Sequence, residues 1–361
     1  MTVYIILFAA ILGASFLPKI KIVDINGGSV KGSTIYWLFV FGSVVLVEAL
    51  RDSSVGIDLP YYIQFFKNSG NLTFDRNYWV DFSAIEPGYN FLNYILFSIS
   101  KDPRFFIFAT SLIIVFLHIF FLYKNSIDFP VSVLLFFGFD YFFTSMVSIR
   151  QFIAMGFVFW CYPAALEKNY RKFSLFALLA FYFHQSSVVC AFLIFVSVIF
   201  KNQKKLIKWI FIVAMMLVPA ILSIFSYIAS FFHKYESFYL AGNFETGLGK
   251  LRIVYIIMQI VLVIYSIIKH KDDRDERTTS MSILLIVGIY LGLGSAVIPF
   301  AFRMGFYFDY FMLLYIPEIL NSECKYTEIL RVGIVFISVM FFGYYLSVNP
   351  GLTVPYVLYH N

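Results

Sequence analysis

The chain has 361 residues, of which 61% are hydrophobic and 21% aromatic, while only 13% are charged. A soluble domain carries about 25% charged residues, so this balance excludes an ordinary soluble enzyme and points to a membrane protein. The net charge of +6 comes from short Lys and Arg clusters between apolar runs, a pattern of cytoplasmic loops and not of a nucleic-acid surface.

Apolar runs recur along most of the sequence and lack the two-residue alternation of a membrane β-barrel. The expected fold is all-α and polytopic. Cys161, Cys190 and Cys324 have no C-x-x-C spacing, so they read neither as a disulfide framework nor as a zinc site.

Residues 2–17 form the first run, read as a retained span because no basic segment precedes it. Residues 18–33, with Lys19, Lys21 and Lys31, read as cytoplasmic, and residues 34–50 return to the outer face. An external loop follows at residues 51–87, polar in a chain that otherwise avoids charge. It holds Arg51, Asp52, Asp58, Asp75, Arg76, Asp81 and Glu86, with Gly56 and Pro87-Gly88 as punctuation. Tyr61, Tyr62, Tyr78, Trp79 and Tyr89 line it. Aromatics beside acids and arginines suit a sugar or phosphate surface, although charges and turn residues mark loops generally.

Residues 89–100 are too few to span and read as a re-entrant helix, which leaves Lys101 and Arg104 outside and Lys124 inside. Residues 131–166 go out and back about Ser148-Ile149-Arg150-Gln151. Residues 173–200 repeat this between two basic clusters, turning at His184-Gln185-Ser186-Ser187. Each arm there reaches roughly 20 Å, short of a ~30 Å hydrocarbon core. That places His184 in a recess below the outer surface.

Residues 206–232 go out, and residues 233–250 form a second external loop. Asp273-Arg274-Asp275 mimics an acid-x-acid motif but lies in a charge run, a solvated cytoplasmic loop. Gly288, Gly292 and Gly294 suit close helix packing. The sum is about 12 crossings plus one re-entrant helix, in a single integral membrane domain over residues 1–361 with both termini outside.

This topology gathers Arg51, Asp58, Glu86, Arg150, His184 and Arg303 at or just below the outer boundary. Ionisable groups within apolar segments are costly and are functional candidates by default. The competing readings are snorkelling for Arg150 and Arg303, a carbonyl hydrogen bond for His184, and a helix N-terminal position for Glu86. Arginines in a low-dielectric recess suit a diphosphate, because guanidinium is always charged and binds phosphate oxygens bidentately. Arg150, Arg303 and Arg51 form that set. Glu86, Asp58 or His184 beside them would take a proton from an attacking hydroxyl. No P-loop, H-E-x-x-H or G-x-S-x-G is present, and the reading calls for neither a metal nor another cofactor.

Four short motifs occur in order: Arg51…Val55-Gly56-x-Asp58-x-x-x-Tyr62, Glu86-Pro87-Gly88-Tyr89-x-x-Leu92-Asn93, Ile149-Arg150-Gln151-x-x-Ala154 and Phe183-His184-x-Ser186. With Arg303-Met304-Gly305-Phe306-Tyr307-Phe308 later in the chain, they resemble the EpsG family, Wzy-like repeat-unit polymerases of bacterial polysaccharide synthesis. The resemblance implies a GT-C-like character and a place in the bacterial cytoplasmic membrane. It implies transfer of a growing glycan from undecaprenyl diphosphate onto the next lipid-linked repeat unit, at the outer face, building O-antigen, capsule or exopolysaccharide. Tyr62, Tyr89 and Gln151 would then contact the glycan. The implied partners are undecaprenyl-diphosphate-linked oligosaccharide and the bilayer, with a chain-length regulator and a flippase as neighbours. The second external loop lacks the arginine-rich character described for some O-antigen polymerases, which leaves acceptor handling to the first. The alternatives are a single-sugar transferase using a polyprenyl phosphate sugar, and a lipid-linked oligosaccharide flippase.

Overall fold

A computed structural model of the chain describes residues 1–19, 21–23, 29–72, 78, 85–202, 209, 213, 250–269, 276–296, 301–321 and 327–359. The crossing expected over 206–232, the second external loop short of Lys250, and Asp273-Arg274-Asp275 lie outside the described residues. So do Cys324 and, in the first external loop, Asp75, Arg76, Trp79 and Asp81.

The described elements are nearly all helical. They run α1 (Thr2–Ala14), a small antiparallel hairpin of β1 (Lys21–Val23) and β2 (Ser29–Lys31), α2 (Gly32–Ala49), α3 (Leu59–Asn68) and α4 (Pro87–Ile99). Then come α5 (Pro103–Val115), α6 (Phe121–Asn125), α7 (Phe129–Gly138), α8 (Tyr141–Val147), α9 (Ile149–Leu166), α10 (Tyr170–Phe183) and α11 (Ser187–Ile199). The last are α12 (Lys250–Lys269), α13 (Glu276–Gly294), α14 (Ala301–Asp309), α15 (Met312–Asn321) and α16 (Thr327–Val348).

Among the described residues, five segments are long and apolar enough to cross a membrane: Gly32–Ala49, Pro103–Asn125, Ile149–Leu166, Glu276–Gly294 and Glu328–Val348. The second is α5 and α6 joined through a π-helical turn at Phe116–Phe120. The pair α7 and α8, bent by 59°, is either a sixth, broken span or a re-entrant loop. The bend has a local cause. Asp140 adopts a left-handed conformation with φ 67°, and its Oδ2 accepts a hydrogen bond from Thr144 Oγ1 at 2.9 Å. The chain is a multi-pass, all-helical membrane protein in character, departing from this among the described residues in the short hairpin and an isolated bridge between Arg51 and Leu358.

The chain packs as two compact units. The first comprises Met1–Trp160, Ser174–Gln185 and Pro317–Asn361; the second comprises Cys161–Phe173 and Ser186–Ile316.

Aromatic stacking holds the first unit. Phe8 of α1 stacks on Phe342 of α16 at 4.4 Å between ring centroids, and Phe137 of α7 stacks on Phe142 of α8 at 4.5 Å. Such pairs contribute about 0.5–1.5 kcal/mol beyond the area they bury. Gly138 lets α16 approach α7, since a Cβ there would lie 2.7 Å from Ser338 Cα. At one end of this unit the C-terminal segment returns against the start of the first external loop. Asp52 N donates to Val357 O at 2.8 Å and Tyr359 N to Leu50 O at 2.9 Å. The hydroxyl of Tyr4, fully buried, donates to Thr353 O at 2.8 Å.

That end also receives both ends of α4, which has 13 residues. Beyond its C-terminus, the Arg104 guanidinium lies 5.5 Å from the ring centroid of Tyr359. At its N-terminus, Glu86 meets Arg150, four positions after Met146, whose carbonyl accepts from Arg51.

In the second unit α13 packs against α12 and α14. Tyr162 of α9 reaches Ser280 of α13 at 2.7 Å, and Ser282 meets the Tyr315 hydroxyl at 3.0 Å. These are hydroxyl pairs of the kind that hold helices together where no water competes.

Candidate active site

The Glu86-Pro87-Gly88-Tyr89 sequence explains itself residue by residue. Pro87 occupies the first helical position of α4, where its missing N–H costs nothing. Glu86 takes the N-cap position but makes no side-chain capping bond, so its carboxylate is free to reach elsewhere. Gly88 removes the side chain that would bar α10: a Cβ there would lie 2.8 Å from both the Cβ and the carbonyl oxygen of Tyr182. Two residues past Tyr182, His184 ends α10, its amide donating to Ala180 O at 2.9 Å.

The result is a buried carboxylate with two basic partners. Arg150 Nη1 donates to Glu86 Oε2 at 2.5 Å, and His184 Nδ1 lies 3.1 Å from Glu86 Oε1. Glu86 is 7% exposed, whereas the side chains of Arg150 and His184 are 28% and 24% exposed. The carboxylate is therefore held below, and the two basic groups face outward. Burial works against its charge, but the His184 hydrogen bond and the Arg150 guanidinium outweigh burial and hold the carboxyl below the ordinary carboxylate range. The N-terminus of α4 adds positive potential at the same point.

Two tyrosines form the floor. Tyr62 of α3 and Tyr89 of α4 meet edge to face at 5.8 Å between centroids, and the Arg150 guanidinium lies 5.9 Å from the Tyr89 ring centroid. Tyr62 also bonds Arg150 through its hydroxyl. One turn on from Tyr89, the carboxamide of Asn93 is fully buried beside the Tyr89 hydroxyl.

Glu86, Arg150 and His184, expected from the sequence, thus come together from three separate stretches of chain. Asp58 sits at the N-cap position of α3 without capping it, close enough to act on the Tyr62 hydroxyl. The other expected residues are placed differently. Arg51 is 1% exposed, and its guanidinium donates to Glu48 O, Ser111 Oγ and Met146 O at 2.8, 3.4 and 3.3 Å. It fastens α2, α5 and α8 together. Tyr62 and Tyr89 are 8% and 0% exposed, so they support Arg150 from beneath and offer no open face to a sugar; Tyr61, 65% exposed, is the open ring beside them. Gln151 is also buried, at 8%, next to Arg150 on α9. Arg303 lies in the second unit, exposed on α14.

The second unit holds a charged cluster that the sequence reading passed over. Arg252 of α12 pairs with Asp309 at the end of α14, and Gln259 Nε2 donates to Asp309 Oδ1 at 2.6 Å. Arg252, Gln259 and Asp309 are 9%, 0% and 2% exposed. Gly288, Gly292 and Gly305 surround them: a Cβ at Gly288 would meet Gln259 and Asp309, and one at Gly292 or Gly305 would meet Arg252. Lone ionisable residues inside apolar runs were the available signal.

No curated protein and no solved structure matches the chain. A model of the EpsG family matches residues 34–359. All four ordered motifs lie within that match, and with it covering nearly the whole chain, the protein belongs to the EpsG family of membrane polysaccharide-biosynthesis proteins.

Proposed function

We propose that this protein polymerises undecaprenyl-diphosphate-linked oligosaccharide repeat units at the outer face of the bacterial cytoplasmic membrane. The observation that carries this reading is the Glu86 carboxylate bridging Arg150 and His184. A carboxylate on Nδ1 fixes the imidazole's orientation and leaves Nε2 to act as base. Glu86 itself, doubly engaged and held below the ordinary carboxylate range, is a poor base. It positions.

In this reading His184 Nε2 takes the proton of the acceptor sugar's hydroxyl. The hydroxyl oxygen attacks the anomeric carbon of the growing glycan, a new glycosidic bond forms, and the bond from that carbon to the diphosphate oxygen breaks. Undecaprenyl diphosphate leaves with the electron pair, and Arg150 stabilises the charge that develops on it. The guanidinium supplies the positive charge here, so the proposed reaction is metal-independent. Tyr61 and Asp58 stand at the acceptor side. The chain would cross the membrane about 12 times in a GT-C-like arrangement, with α4 re-entrant because it has too few residues to span. O-antigen, capsule or exopolysaccharide would be the product, with a flippase upstream and a chain-length regulator alongside.

The test is the lipid-linked glycan profile of a deletion strain, resolved by gel and mass spectrometry and complemented with His184→Ala. Collapse of the ladder to one repeat unit on carrier lipid, in both strains, is the expected result. An intact ladder lacking a single side sugar would replace this reading with a single-sugar transferase. Repeat units accumulating on the cytoplasmic side would replace it with a flippase.

A further inference from the structure

In the first unit, opposite ends of the spans from Glu86 and Arg150 converge on a cavity of about 570 Å³. Its walls come from the end of α1, the start of α2, the α6–α7 turn and the start of α16. Residues 18–33, which follow α1 and lead into α2, and Lys124 at the α6–α7 turn read as cytoplasmic from the sequence. Their meeting in one cavity places it where the helices end, at the membrane–water boundary. Ligand cavities run from about 300 to 1,000 Å³, so the size suits a small ligand or a lipid headgroup.

The lining is apolar on one side, with Phe16, Val131, Leu134 and Val335. The polar side offers donors. Lys124 is exposed, and its Nζ lies 5.4 and 5.6 Å from the ring centroids of Phe120 and Tyr123. Ser126 Oγ already accepts from Asp128 N at 3.1 Å and from Ser132 Oγ at 2.7 Å, which leaves its own proton to give. Arg331 donates from Nη2 to Asp128 Oδ2 at 2.7 Å, while its buried Nε completes no hydrogen bond.

The lining carboxylate does not offset this. Asp128 Oδ1 accepts from Val131 N at 3.3 Å, capping α7, and Oδ2 is held by Arg331. Each oxygen already accepts one bond and the charge is paired with Arg331, so Asp128 competes only weakly for a cationic headgroup. Among the lining side chains Lys124, Arg331 and Asp128 sum to one positive charge, the complement of one phosphodiester, while Glu328, 85% exposed and 4.0 Å from Arg331, is not part of the lining.

We propose that this cavity binds an acidic glycerophospholipid of the cytoplasmic leaflet, its phosphate on Lys124 and Ser126 and its acyl chains along Val335 and Leu134. Basic pockets between transmembrane helices at this level suit such headgroups. The bound lipid would tie the start of α16 to the α6–α7 turn, beside the Arg331–Asp128 pair that already joins them. This site is separate from the proposed catalytic residues and stands without them.

The test is native mass spectrometry of the full-length protein released from nanodiscs holding equal phosphatidylglycerol and phosphatidylethanolamine. The wild type should retain phosphatidylglycerol in preference. Lys124→Gln removes an exposed charge with no ion pair among the described residues, and should lower that retention about fivefold, the loss expected for one interfacial lysine. Ser126→Ala, scored beside it, keeps the Arg331–Asp128 pair intact and should also lower retention. Equal retention of the two lipids by the wild type, or retention unchanged in both variants, overturns the proposal. Melting temperatures measured in detergent without lipid should match across the three proteins, and a lipid-induced rise confined to the wild type would support it.

Discussion

Gly88 and Tyr182 touch so closely that a single methyl group would separate them. A Cβ on Gly88 would lie 2.8 Å from the Tyr182 carbonyl oxygen and 2.8 Å from its Cβ. Both are near the backbone and cannot swing away, so α4 and α10 would have to part. His184 follows Tyr182 by two residues, and Glu86 precedes Gly88 by two. The contact therefore sets the Glu86–His184 distance. Gly88→Ala should cost about 1–3 kcal/mol of stability, the range for overpacking, and should lower polymer formation far more than protein level. Membrane abundance by immunoblot and glycan ladders from the same cells check this; normal ladders would show that the approach is not needed.

Arg150 is held by a carboxylate, a tyrosine hydroxyl and a ring face. A lysine offers one compact charge where the guanidinium spreads donors in a plane. Arg150→Lys and Arg150→Ala should therefore both abolish chain elongation, with the protein still in the membrane. Arg150→Ala carries the added penalty of leaving Glu86 buried with His184 alone. Normal polymer length in the lysine variant would mean that charge, and not planar donor geometry, is what the site requires.

The sequence made Glu86, Arg150 and His184 legible because each is a charge in a chain that avoids charge. The inward turn of Arg51 was not legible, for a physical reason. Arg51 lies in the same polar stretch as Asp58, yet its partners Ser111 and Met146 are 60 and 95 residues away, and no local pattern reports a side chain turned inward. Gly288 and Gly292 read as helix-packing glycines. What they accommodate is the side chains of Gln259 and Arg252, and that polar filling is invisible without α12 in place. The bend at Asp140 was equally hidden, since a left-handed residue other than glycine has only a weak signature. The span count is partly legible: apolar length finds α2 and α9 readily, whereas α10 and α11, broken at His184, are too short for the same measure.

The Glu86 carboxyl is held below its ordinary value of 4.5, which fixes the sign of a pH effect. A depressed carboxyl contributes stability that is fully present above the unfolded value and is lost as pH falls through the folded one. The carboxyl's own contribution to the melting-temperature difference between wild type and Glu86→Gln should therefore be fully present above about pH 5 and be lost only below the ordinary carboxylate range. Thermal melts in detergent from pH 3 to pH 8 measure it. A difference that fades between pH 5 and pH 7 would mean that Glu86 titrates high, and would return it to the role of base.

Arg252 and Asp309 make the sharpest stability prediction, because each is buried and each is the other's neutralising partner. Removing one charge leaves the second stranded, which costs about 3–5 kcal/mol for a buried pair. Arg252→Met and Asp309→Leu should each lower the melting temperature strongly. Combined, they exchange a charged pair for apolar volume, and replacement of that kind is often neutral or stabilising. The double variant should therefore melt close to wild type, an interaction larger than either single effect left uncorrected. Gly305 sets a limit on this repair, because it gives Arg252 its room, and Gly305→Ala should be tolerated better beside Arg252→Met than alone. Additive losses in the double variant would show that the two residues stabilise the second unit through separate contacts, with Gln259 as the true partner of Asp309.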